Sequence, residues 1–131
     1  MAAGRYNFIV EQGTQHEVTF RYKNTAGAGI ALTGYRARMS VKDHITDTDF
    51  VYRATSNTTA DDETGFLQHF AIGGVQGSPE SAGFFTLTIP TGITNAFSFG
   101  QGVYDLELVD TNGVVTRLLE GKFKVKPQVS T

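Results

Sequence analysis

From Gly102 to Lys126, apolar and polar residues alternate with a period of two on both sides of Asp110-Thr111-Asn112-Gly113. Alternation at that period puts successive side chains on opposite faces of an extended strand. An Asp/Asn/Gly cluster between two such runs is the chemistry of a tight antiparallel turn. The C-terminus is therefore expected to be a β-hairpin with one apolar and one charged face. The same period recurs from end to end, and no window sustains the 3.6-residue stripe of an amphipathic helix. Together these features predict an all-β chain.

The individual strands follow from the same pattern. Arg5 to Glu11 reads as a first strand. Val18, Phe20 and Tyr22 alternate with Glu17, Thr19, Arg21 and Lys23, which makes a second strand with one wet face. Asn24 to Gly29 is a turn-rich link. After Leu32-Thr33-Gly34, a strand carries Tyr35, Ala37, Met39 and Val41 on one side and Arg36, Arg38, Ser40 and Lys42 on the other. Shorter strands are expected at 50–55 and 66–72. Phe85, Leu87 and Ile89 mark another, stopped by Pro90, which has no amide to continue a ladder. Residues 91–97 are expected to make one helical turn capped by Thr91 or Thr94. About seven or eight short strands, spaced roughly 8–12 residues apart, predict an antiparallel sandwich in preference to a barrel. Two longer links, 56–65 and 73–83, are either contact loops or plain surface loops.

With 131 residues the chain is expected to be a single domain, 1–131, burying roughly two-thirds of its unfolded surface. It has no cysteine, so neither disulfides nor thiolate zinc can hold it together. A net charge of −2 argues against a nucleic-acid binder, which shows a basic excess on one face. No apolar run approaches the ~18–20 residues that span a bilayer, and Met1 to Asn7 lack the hydrophobic core of a secretory signal. The expectation is a soluble protein made in a cytoplasm, with neither membrane nor nucleic acid as partner.

The residues that could carry chemistry are scattered. His16, His44 and His69 lie on separate segments, and there is no HExxH, nucleophile frame or glycine-rich phosphate loop. Asp43, Asp47 and Asp49 invite a cation reading, but the glycine and bidentate glutamate of a calcium loop are missing, and a solvated loop is the simpler account. Asp61-Asp62-Glu63 reads the same way. Lys122, Lys124 and Lys126 share one strand face that could meet phosphate. A wet face, or charge protecting a sheet edge, explains them equally. No catalytic, cofactor-binding, metal-binding or small-molecule site is assigned. Phe84 is out of phase with Phe85, Leu87 and Ile89, and Phe97 and Phe99 fall in a loop-like link. These phenylalanines are either covered by neighbouring loops or form an exposed patch for protein contact.

Three stretches carry a family resemblance. They are Phe8-Ile-Val-Glu-Gln-Gly13 followed by Val18-Thr-Phe-Arg-Tyr22, then Ile30 to Val41 with its Leu-Thr-Gly-Tyr, and the closing hairpin through Arg117-Leu-Leu-Glu-Gly121 and Pro127-Gln-Val-Ser130. They resemble small immunoglobulin-like β-sandwich proteins encoded among tailed-bacteriophage structural genes, and the N-terminal module of phage upper-baseplate proteins. One departure is Ala31, where that pattern often has Asp before Leu-Thr-Gly. The resemblance implies an immunoglobulin-like sandwich in a virion. Its role would be that of a tail or baseplate assembly module without catalytic residues, contacting other virion proteins and copies of itself. A capsid-decorating protein and a carbohydrate- or receptor-binding module are the alternatives. On that reading the contacts are expected at an N-terminal arm, 1–10, through Arg5, Tyr6 and Phe8, and at a patch of Phe84, Phe97 and Phe99. Deleting the arm is expected to leave the sandwich folded.

Overall fold

The computed structural model describes residues 4–58, 65–73, 82–98 and 100–127. In chain order the elements are β1 (Gly4–Arg5), β2 (Phe8–Glu11), β3 (His16–Arg21), β4 (Arg36–Lys42), β5 (Tyr52–Thr55), β6 (Leu67–Gln68), β7 (Phe70–Ile72), β8 (Phe84–Ile89), α1 (Thr91–Ala96), β9 (Gln101–Val109) and β10 (Val115–Lys126). Among the described residues no helix is long and apolar enough to cross a membrane.

The strands form two sheets. The larger runs β1-β10-β9-β4-β5-β6, with β2 also on β10, and the smaller runs β3-β8-β7. The N-terminal β1 and β2 on the last strand, and β3 sharing the opposite sheet with β7 and β8, make this an immunoglobulin-like sandwich. Period-two alternation gives each sheet one dry face. Ala37, Met39 and Val41 of β4, Phe85, Leu87 and Ile89 of β8, and Leu106 of β9 are fully buried between the sheets.

The closing hairpin is built as the sequence suggests. The Asp110 carboxylate accepts the amides of Asn112 and Val114, both at 2.9 Å, and Gly113 takes the positive φ of 82° that the turn needs. The Leu32 carbonyl accepts the Tyr35 amide at 2.9 Å, across a turn whose third residue, Gly34, has φ 80°. This Leu-Thr-Gly-Tyr turn aims the chain into β4.

Three expectations change. First, residues 4–11 are not a free arm. β1 and β2 both pair in parallel with β10, Gly4 opposite Leu119 and Phe8 opposite Phe123, and Phe8 and Val10 are completely buried. Second, β10 is flanked on both sides, so Lys122, Lys124 and Lys126 guard no edge; they are exposed on the outer face of an internal strand. Third, α1 is not capped by a threonine. Pro90 holds the N-cap position without a side-chain bond. Thr94, wholly buried, instead donates to the Thr14 carbonyl at 2.6 Å and accepts the Gly13 amide at 3.2 Å. The Gln12 amide group also donates to the Phe97 carbonyl at 3.1 Å. The Gln-Gly turn after β2 thus fastens α1 to the end of the sandwich.

Removal of residues 1–10 is accordingly expected to prevent folding rather than release an arm. The graded test is Phe8→Ala, which should cost about 3–5 kcal/mol, read as a lowered urea midpoint with unchanged slope.

Candidate protein-contact surface

The outer face of the larger sheet is the most developed surface of the molecule. Register across β5, β4, β9 and β10 lines its residues up in rows. One row is Arg38, Glu107 and Arg117. The next is Arg53, Ser40, Asp105 and Glu120, extended by Arg5 of β1. The third is Lys42, Val103 and Lys122.

Opposite charges facing each other across strands are mutually stabilising, and the first two rows use them. Arg38 Nε donates to Glu107 Oε1 at 2.9 Å, and Arg117 Nη2 lies 3.5 Å from Asp105 Oδ2. Burial holds the Asp105 carboxyl above its ordinary value of 3.8. The nearby Glu107 pushes the same way, and Arg117, Arg38 and Arg53 oppose both. Arg53 donates to Ser40 Oγ at 3.1 Å, and its guanidinium carbon sits 3.9 Å from the Phe50 ring centroid and 4.0 Å from that of Phe66. The Lys42 ammonium lies 5.0 Å from the Phe50 ring. Phe50 therefore gathers two cations against its π-face.

These residues border a shallow groove of about 650 Å³. It holds five cations, Arg5, Lys42, Arg53, Arg117 and Lys122, against three carboxylates, Asp105, Glu107 and Glu120. A locally positive surface thus sits on a chain of net charge −2. Beside it stand Ile45 at 78 % exposure, Phe50 and Leu67 at 40 % and Val51 at 39 %. Phe50, Val51 and Leu67 also line a neighbouring hollow floored by Tyr52 and Phe97.

The expected contact residues do not form one patch. Arg5 and Tyr6 are exposed at one edge of the larger sheet. Phe8 belongs to the core, its ring 4.8 Å from that of Tyr104 and 5.4 Å from that of Phe123. Phe97 is also a core residue, 5.5 Å from Tyr52 and 5.8 Å from Phe123, because the turn of α1 swings it inward. Phe84 is half-buried on the outer side of the smaller sheet, with the Arg21 guanidinium 4.7 Å from its ring. Phe99 lies outside the described residues, as do Asp61-Asp62-Glu63 and most of both long loops.

The histidines remain apart. Tyr52 Oη and His69 Nδ1 share a hydrogen bond of 2.6 Å; burial holds the tyrosine above and the histidine below its ordinary value. Burial against Phe8 also lowers His16. His44 joins Asp43 and Asp47, whose possible ligand atoms lie within 4.8 Å of one another. These three could hold a cation, but their contacts already account for a turn, in which Asp47 accepts the His44 amide and donates its own to the His44 carbonyl. Asp49, expected as the third carboxylate, is not in the group.

The exposed ridge was the feature hardest to read from sequence. Its one signal is local: Phe50 and Val51 are consecutive apolar residues where a strand should alternate, and Ile45 interrupts an acidic loop.

No protein-family model matches the chain, and no curated protein matches it. Several solved structures are similar in shape. CopC from Methylosinus trichosporium OB3b is 14 % identical over 100 % of this chain and 90 % of its own, with a TM-score of 0.41. A structure from photo-crosslinking analyses of multimeric cell-adhesive interactions of VGSC beta subunits is 7 % identical over 96 % of each chain, at 0.45. Tim-1 is 10 % identical over 100 % of this chain and 99 % of its own, at 0.44. The sandwich is defined here by its own strand order and register.

Asp105 gives the face a pH signature. Its folded pKa is raised, so the unfolded chain releases this proton first, and the contribution of Asp105 to stability is lost as pH rises through the folded value. Relative to wild type, Asp105→Asn should therefore gain stability steadily as pH is raised from below 3.8 to neutrality. Paired urea titrations across that range check the sign.

Proposed function

We propose that the chain is a non-catalytic assembly module of a tailed-bacteriophage particle, seated in the tail or baseplate and joined to other virion proteins and to copies of itself. The observation that carries the contact role is the outer face of the larger sheet. There an apolar ridge starts at Ile45 and Phe50, on the rim of a cationic groove, and continues over the β5–β6 edge of the sheet to Val51 and Leu67. Large exposed apolar residues rimmed by charge are what a protein interface requires. The virion setting is supported by the sequence resemblance, whose three stretches supply β2 and β3, β4, and the β9–β10 hairpin. The stretches that carry the resemblance are thus the framework, and the ridge falls outside them.

Mass spectrometry of gradient-purified particles should detect the chain, and electron cryomicroscopy should locate it in the tail or baseplate. The double variant Ile45→Asp, Phe50→Ser should lower its incorporation at least about tenfold while the chain still folds, since neither side chain belongs to the buried core. Absence of the chain from purified particles overturns the virion reading. Normal incorporation of the double variant overturns the ridge.

A further inference from the structure

Among the described residues, both sheets end in an open strand on one side of the sandwich, with an apolar cleft between them. The smaller sheet ends at β3 among the described residues. Its hydrogen bonds fix which backbone groups face outward. Thr88 donates to the His69 carbonyl and Gly73 to the Phe84 carbonyl, so residues 84, 86 and 88 turn toward β7. Phe85, Leu87 and Ile89 then bond β3 through Phe20, Val18 and His16. The intervening Glu17 and Thr19 direct their N–H and C=O groups away from β8, to the open edge. In an immunoglobulin sandwich the N-terminal strand can lie beside this second strand. Here β1 and β2 are both committed to β10.

The cleft beside that edge has a volume of about 350 Å³ and is lined by Tyr6, Val18, Phe20, Leu118 and Leu119. The last four are only partly buried although they pack on the core, and Tyr6 is 39 % exposed with its ring 6.0 Å from that of Phe20. Arg5 and Arg21 also line the cleft, and no carboxylate does.

We propose that the β3 edge accepts an extended strand from another polypeptide, one with alternating apolar residues and a carboxylate placed to meet Arg5. Such a strand would bond the outward groups of Glu17 and Thr19. Its alternate side chains would point the same way as Val18 and Phe20, into the cleft. A second copy of this chain does not serve. Two β3 edges laid together would extend the sheet, but each strand already directs its apolar side chains into its own sandwich, leaving the cleft unfilled. The proposal does not depend on the virion setting or on the outer face of the larger sheet.

The test uses the full chain and a synthetic nonapeptide alternating valine with threonine and glutamate, with amide hydrogen exchange followed by NMR. Saturating peptide should slow exchange at Glu17 and Thr19 by about tenfold or more. The same peptide N-methylated at alternate amides, which cannot pair, should leave both rates unchanged. Thr19→Pro removes one outward donor at an edge position where proline is tolerated, and should abolish binding. Arg5→Glu should weaken binding several-fold with the fold intact. Slowed exchange at Ile9 instead of at β3 would mean that the strand joins the other sheet, and overturns the proposal. So does unaltered exchange at Glu17 and Thr19 with millimolar peptide.

Discussion

The burial of Phe8 is the constraint on which the rest of the architecture turns. Its ring sits against Tyr104 and Phe123 and meets Phe20 of the opposite sheet at 6.1 Å, so one side chain fixes the N-terminal strand to the larger sheet and closes the sandwich behind it. The backbone is adapted to this. The Tyr104 hydroxyl donates to the Tyr6 carbonyl, and a side chain at position 121 would collide with that same carbonyl oxygen, which is why Gly121 faces it. The Lys122 amide, next along β10, donates to Asn7 Oδ1 at 3.0 Å. The short break between β1 and β2 is therefore held by these side-chain bonds together with the Tyr6 amide, which donates to the Glu120 carbonyl at 3.2 Å.

Two consequences follow from placing that strand on β10. The C-terminal strand becomes internal to its sheet, and its lysines become part of a broad outer face instead of an edge. The second strand, β3, is left without the neighbour an N-terminal strand could have provided, and the cleft lined by Tyr6, Phe20 and Leu119 opens beside it. A single packing choice at Phe8 thus sets both the cationic face and the open edge.

Period-two patterning was legible wherever a strand has one wet face and one dry face. β4, β8, β9 and the last five residues of β10 could be read for that reason, since their buried and exposed residues alternate; the first half of β10, where the register shifts between Arg117 and Leu119, does not. The pattern failed at β2, where Phe8, Ile9 and Val10 are all apolar and no parity can be chosen; Ile9 is 57 % exposed while its neighbours are buried. Nor does local sequence reveal that the strand's partner lies more than a hundred residues away. Phe97 was read as a possible contact because the helical turn expected over 91–97 does not by itself say which way its last residue points; packing against Tyr52 and Phe123 decides it. Thr94 looked like a cap because threonine often is one; its hydroxyl is taken by a backbone contact with Thr14 that no local pattern encodes. The Gln-Gly turn, by contrast, was visible as a motif before its work was known. The Gln12 side chain and the Gly13 amide are the two groups that reach α1.

The division of labour on the outer face follows from what exposed charges can and cannot contribute. Pairs such as Arg117–Asp105, with 54 % and 35 % side-chain exposure, are screened by water and add little to stability. They already satisfy one another, so a partner that displaced them would have to replace them. Lys42 and Lys122, aligned across Val103 with no carboxylate in their row, are better placed to orient an acidic partner, because complementary charge governs approach and register more than affinity. Affinity must come from apolar area, and the ridge formed by Phe50, Val51 and Leu67 supplies it. Arg53 joins the two functions: its guanidinium lies between Phe50 and Phe66, which holds Phe50 upright at the boundary between the charged rows and the ridge.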